Sequence, residues 1–192
     1  MSLPDEPGTY DLLSDLPGPF FRIEKRPAEQ WEWNPRPTPR HRFDSLAGLR
    51  RLRYAATAAA GAARERYRDT GSFIPASHAG HYRIDLQGDL RVLDLRREQV
   101  LDALHLDARV STGYEAQVRE VCWQLSDRAR DWWSDQIHAI VFTSRTTPET
   151  SANVALYENA PLEASSSLLS GCADWLDELV LGHGFVIDFD YR

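Results

Sequence analysis

The sequence predicts one mixed α+β domain, and three observations predict it. First, 192 residues with 42% hydrophobic side chains suffice for one substantial core. Second, short strand-patterned segments interleave with helix-patterned ones without the regular βα succession of a doubly wound sheet. Third, a single long segment, residues 114–133, carries apolar residues at three- and four-residue steps: Val118, Val121, Cys122, Leu125, Ala129 and Trp132.

Taken in order, residues 1–18 hold Pro4, Pro7, Gly8, Pro17 and Gly18 and read as an extended, flexible arm, with the domain proper running over 19–192. Phe20-Phe21-Arg22-Ile23 is a short strand. Four prolines between Pro27 and Pro39 make residues 27–40 a loop, since each proline removes a backbone donor. Leu52-Arg53-Tyr54-Ala55 is a strand. Thr57 then suits the cap of a helix through Tyr67, whose small residues allow a close backbone approach. Residues 81–86 and 89–95 alternate around Gly88 and read as a hairpin or a meandering pair. A short helix spans 98–106. Residues 137–143 form an apolar strand that delivers Ser144 at its end. Residues 153–157 form another strand, 172–181 an amphipathic helix closed by Gly182, and 185–189 a last strand.

A net charge of -7 argues against a general nucleic-acid binder, which shows a basic face. No apolar run reaches the roughly 20 residues a membrane span needs. The N-terminus lacks the basic and apolar regions of a signal peptide. Cys122 and Cys172 have no CxxC spacing and suit a reduced setting. A cytoplasmic protein is expected.

Several residues invite a chemical role. Glu65 falls about two turns into the helix after Tyr54, among alanines, where a carboxylate reaches a pocket floor; the alternative is a solvated glutamate flanked by Arg64 and Arg66. Arg42 offers a fork of donors suited to phosphate oxygens, or pairs with Asp44. Ser144 lacks a Gly-x-Ser-x-Gly elbow and a convincing Ser-His-Asp set, so it reads as a ligand-binding serine or simply as the opening of a loop. His78-x-x-His81 lacks a third ligand of a zinc pattern, and no metal site is expected. Neither a Gly-x-Gly-x-x-Gly nor a P-loop is present. The pairs Trp31/Trp33 and Trp132/Trp133 read as core or interface aromatics.

In order, these pieces resemble the RES domain family. Phe21-Arg22 matches an aromatic-arginine pair in a first strand. Arg42-Phe43-Asp44 matches an arginine followed by an aromatic and a polar residue, although Arg40-His41 stands where members often have Gly-Gly. Tyr54 at a strand end precedes a small-residue helix with Glu65 eleven positions on. Ser144 follows an apolar strand, and Asn153 heads the next. The likeness covers roughly residues 19–161. It implies an ADP-ribosyltransferase-like fold, a mixed split β-sheet with flanking helices and NAD in a cleft across the split. It also implies a toxin of a toxin–antitoxin pair that breaks the nicotinamide–ribose bond. Glu65, Arg42, Tyr54 and Ser144 would then be catalytic, and Arg22, Arg42, Tyr54, Ser144 and Asn153 would bind NAD. NAD would be a substrate, with no prosthetic group. The implied partner is a cognate antitoxin. A homo-oligomer and the nature of the acceptor (water, phosphate or a protein side chain) stay open. The alternative is a non-catalytic RES-like interaction protein.

Overall fold

The structure is a computed structural model describing residues 1–8, 11–35, 37–147 and 149–192. Thr9 and Tyr10 of the arm, Arg36 of the proline-rich loop and Pro148 of the loop after Ser144 lie outside the described residues. The chain forms strands β1 (Leu13–Pro17), β2 (Phe20–Glu24) and β3 (Arg53–Ala56), then helix α1 (Ala59–Tyr67) and strands β4 (Phe73–Ile74), β5 (Tyr82–Gln87) and β6 (Asp89–Asp94). Helices α2 (Glu98–Ala103), α3 (Arg109–Thr112) and α4 (Ala116–Trp133) follow, then β7 (Ala139–Thr143), β8 (Ala152–Leu156), β9 (Glu163–Leu168), α5 (Ala173–His183) and β10 (Val186–Ile187). Eight strands form one mixed sheet in the order β1-β6-β7-β8-β3-β2-β5-β9, while β10 pairs in parallel with β4.

The sheet curls because two chain segments cross it as one bent ribbon. Leu13 pairs with Leu93 through to Pro17 with Asp89, and the same register resumes from Phe20 with Leu86 to Glu24 with Tyr82. At the bend the Gly18 amide donates to the Gly88 carbonyl at 2.9 Å. Gly88 sits at φ +136°, and a Cβ there would stand 2.8 Å from the Pro161 carbonyl, so both its conformation and its space exclude a side chain. Residues 81–95 are therefore neither the hairpin nor the meandering pair that their alternation suggested. β5 pairs with β2 and β9, and β6 with β1 and β7. The arm expected over residues 1–18 is corrected in the same way. Leu13–Pro17 is an edge strand on β6, Leu12 and Leu13 are buried, and the Trp132 indole donates to the Asp5 carbonyl at 3.0 Å.

Both faces of the central strands are apolar, as expected for strands covered on two sides. Along β7, Ala139 and Val141 join Phe20, Ile84, Leu86 and Val154 inside the curl, while Ile140 and Phe142 face the helical layer of α2, α3 and α4. The periodic face of α4 packs there through Val118, Val121, Cys122, Leu125 and Ala129. Each fully buried leucine or valine in such a layer contributes about 1.5–3 kcal/mol. A third cluster joins α1 and α5 to Ile23 and Ile74. Two further expectations shift. Thr57 makes no cap bond; its backbone N–H donates to the Ala152 carbonyl at 3.0 Å, and its hydroxyl accepts from the Ala152 amide at 2.9 Å. The last long helix ends not at Gly182 but at Gly184, which supplies the left-handed φ of +69°.

The His78 and His81 rings stack at 3.8 Å between centroids, and His78 Nδ1 lies 3.3 Å from the Tyr67 hydroxyl. Burial lowers His81 from the ordinary 6.5 to about 4, with His78, Arg66 and Lys25 pushing the same way. The fold therefore prefers the neutral ring. Its contribution is complete above pH 6.5 and is lost as pH falls from there through about 4. His81→Gln should show a flatter melting temperature than the parent between pH 6.5 and 4 by calorimetry; parallel curves would contradict this role.

Candidate active site

The sheet opens where β2 leaves β3. These strands share one residue pair, Phe21 with Ala56, and then splay apart. In the gap the Arg22 Nη1 donates to the Tyr54 carbonyl, so a side chain takes the place of the missing ladder bond. Arg22 is held in turn by Glu24, which also accepts from Arg53 Nη1 at 2.8 Å. Arg53 lies over the rings of Trp31 and Trp33 at 4.4 and 5.2 Å. Burial lowers its guanidinium to about 10, against the opposing pull of Glu24.

A cleft of about 740 Å³ occupies the split. Arg22, Arg42, Tyr54, Glu65 and Asn153 all line it. These residues come from β2, the segment before β3, β3 itself, α1 and β8. Among the described lining residues are eight arginine or lysine side chains and three carboxylates, Glu24, Glu65 and Asp69. A chain of net charge -7 thus gathers cations around this one hollow.

Glu65 is held by three donors. Gly61 makes this placement feasible: a Cβ there would lie 2.6 Å from the Ser151 Cβ, so only glycine lets α1 press against the chain entering β8. Glu65 stands one turn further along the same face. Its Oε1 accepts from the Ser144 hydroxyl at 2.8 Å, the Thr146 hydroxyl at 3.1 Å and the Asn153 amide at 3.1 Å. Its Oε2 accepts no hydrogen bond from the described residues. Three neutral donors thus orient the carboxylate and leave one oxygen for a ligand.

Ser144 does not line the cleft. It is fully buried beneath Glu65. Its hydroxyl accepts from the Thr146 and Thr147 amides, each at 3.2 Å, while donating to Glu65. It orients the carboxylate and ties down the loop after β7, where the sequence reading gave it direct contact with substrate. Tyr54 lines the cleft, but its hydroxyl accepts from the Phe43 amide at 2.9 Å and donates to Asp44 at 3.2 Å. Desolvation first, and the Asp44 charge second, raise that hydroxyl well above the usual 10, so it stays protonated. Arg42 does not pair with Asp44. Its Nη1 and Nη2 donate to the Val110 and Gly113 carbonyls at 3.0 and 2.8 Å, fixing the turn between α3 and α4.

Sequence reasoning missed Thr146 and Thr147, which build the loop around Ser144, and Glu24, which anchors Arg22. It also missed Arg145, whose guanidinium lies 4.3 Å from the Tyr114 ring centroid at the cleft wall. None of these carries a local signal beyond its residue type. Among the described residues no group of three or more His, Cys, Asp or Glu could hold a metal ion, and no helix is long and apolar enough to cross a membrane.

The family model for the RES domain matches residues 19–174. No curated protein matches. Among solved structures, a chain of the M. tuberculosis MbcT–MbcA toxin–antitoxin complex is similar at 18% identity, over 81% of this chain and 86% of that chain, with a TM-score of 0.53. At that identity the likeness is one of fold: a large curled mixed sheet flanked by helices.

Proposed function

The chain belongs to the RES domain family, and on that footing we propose that it is the toxin of a toxin–antitoxin pair and acts by breaking the nicotinamide–ribose bond of NAD. The observation that carries this reading is the pairing of one oriented carboxylate, Glu65, with a surround of cations in the split of the sheet. A dinucleotide has the complementary chemistry. Its pyrophosphate suits guanidinium forks, and its glycosidic bond develops positive charge as it breaks. The fold neighbour's place in a toxin–antitoxin complex supports the toxin assignment.

In this mechanism nicotinamide departs as the neutral base, taking the bonding electron pair. Positive charge grows over the ribose C1 and ring oxygen, as in other glycosyl transfers. The free Glu65 Oε2 faces that charge and stabilises it electrostatically. The acceptor then donates a lone pair to C1 and loses its proton. Water, phosphate and a protein side chain all satisfy this balance. Arg22 and the other cleft cations hold the phosphates, and the Tyr54 ring flanks the nicotinamide.

An antitoxin would have to cover or enter this cleft, so the inhibited complex should lose NAD affinity as well as turnover. The proposal is tested by expressing the chain in cells and following NAD. The parent should arrest growth as the NAD pool falls, and Glu65→Gln should do neither. Harmless expression with an intact pool, or equal toxicity of the variant, would overturn it.

A further inference from the structure

Of the phenylalanine and tyrosine side chains that line the cleft, Phe21, Tyr54 and Phe142 are buried or half-buried, whereas Tyr114 is 74% exposed. It has no place in the core. Its backbone is nevertheless fixed. The residue before it, Gly113, gives its carbonyl to Arg42 Nη2 at 2.8 Å, and the α4 helix starts two residues after it. Its ring has a cationic neighbour. The Arg145 guanidinium, on the loop that follows β7, lies 4.3 Å from the centroid and covers one face. Tyr114 is exposed and lines the cleft, so the face away from Arg145 is available to a ligand. An exposed aromatic plate with a cation behind it is suited to receive a flat base.

Resting on the NAD reading above, we infer that Tyr114, backed by Arg145, is the stacking platform for the adenine base, so that the cleft selects dinucleotides over mononucleotides. The two ends of the cleft fit this division. Glu65 lies on the floor, over the buried Ser144, where the glycosidic bond must sit. Tyr114 lies on the exposed turn between α3 and α4, where the distal half of a long substrate would emerge. Arg68, an exposed residue of the same cleft, adds a cation for the intervening phosphates. A cleft of about 740 Å³ falls within the range of sites that take ligands of this size.

The test compares NAD with nicotinamide mononucleotide, which carries the same scissile bond but no adenosine. Tyr114→Ala should raise the KM for NAD roughly tenfold to a hundredfold, the range for losing one base–aromatic stack, with kcat little changed. Its kcat/KM for the mononucleotide should stay at the parent value, and Tyr114→Phe should behave as the parent with both. An unchanged NAD KM in Tyr114→Ala, or an equal loss with the mononucleotide, would overturn the platform. Calorimetry with 5′-AMP separates this inference from the NAD reading. If the parent releases no nicotinamide but binds AMP, and Tyr114→Ala loses that binding, the platform stands and the cleavage reading falls. If neither protein binds AMP, the platform falls.

Discussion

Glu65→Gln is expected to lower NAD turnover by roughly 10²–10³ while leaving NAD affinity near the parent value. The three hydrogen bonds to Oε1 all come from donors: Ser144, Thr146 and Asn153. A glutamine in this place must turn its carbonyl toward them and its amide NH2 toward the cleft. The group that meets the developing ribosyl charge then changes from an anion to a donor with partial positive charge. Side-chain size and the three supporting bonds are kept, so binding of the ground state should change little. Steady-state kinetics with a separate measurement of NAD binding checks this. Near-normal turnover would reject the role, and equal losses in affinity and turnover would make Glu65 a binding residue instead.

Ser144→Ala should reduce both stability and turnover. The hydroxyl is fully buried and joins Glu65 to the Thr146 and Thr147 amides. Its removal strands two amides and one acceptor position of the carboxylate. Unsatisfied groups of this kind cost about 1–3 kcal/mol, which in a domain of this size lowers the melting temperature by about 2–12 °C. Turnover should fall by roughly tenfold as Glu65 loses its shortest bond and one of three restraints, a change on the order of 1.4 kcal/mol. Thr146→Val removes a single donor and should cost less on both counts. The outcome separates two roles for Ser144. A residue that touched substrate would raise KM and leave the melting temperature alone, whereas a supporting residue lowers the melting temperature and kcat together.

Much of the molecule was legible in its sequence where local pattern and tertiary role agree. The apolar face of α4 packs as its periodicity implies, and β7 is buried on both faces as its unbroken apolar run implies. The small residues of α1 do permit a close approach, at Gly61 against Ser151. What escaped was set by partners distant in sequence. Residues 81–95 look like a hairpin because two alternating runs flank a glycine, yet the register with residues 13–24 turns them into two halves of a bent ribbon. β9, Glu-Ala-Ser-Ser-Ser-Leu, has no apolar face to announce it. It is a strand because its backbone pairs with β5 from Tyr82 to Gln87. Leu13–Pro17 was masked by the prolines around it.

The candidate site divides in the same way. The ordered set of Arg22, Arg42, Tyr54, Glu65, Ser144 and Asn153 is recognisable along the chain, and five of the six line one cleft. The depth of Ser144 was not recognisable, because it depends on how α1 meets the loop after β7. Nor was the use of Arg42 to hold the Val110 and Gly113 carbonyls, which lie on elements about 70 positions away. Residue type named the possible chemistry, and packing decided which atoms were left free to perform it.

The central claim, that this cleft breaks the nicotinamide–ribose bond, is tested most directly by incubating the purified chain with NAD, with and without inorganic phosphate, and identifying the products by mass spectrometry. The account predicts free nicotinamide together with ADP-ribose, or with its phosphorylated form when phosphate is the acceptor, and release slower by roughly 10²–10³ with Glu65→Gln. NAD recovered intact under both conditions from a folded protein that binds it would contradict the claim.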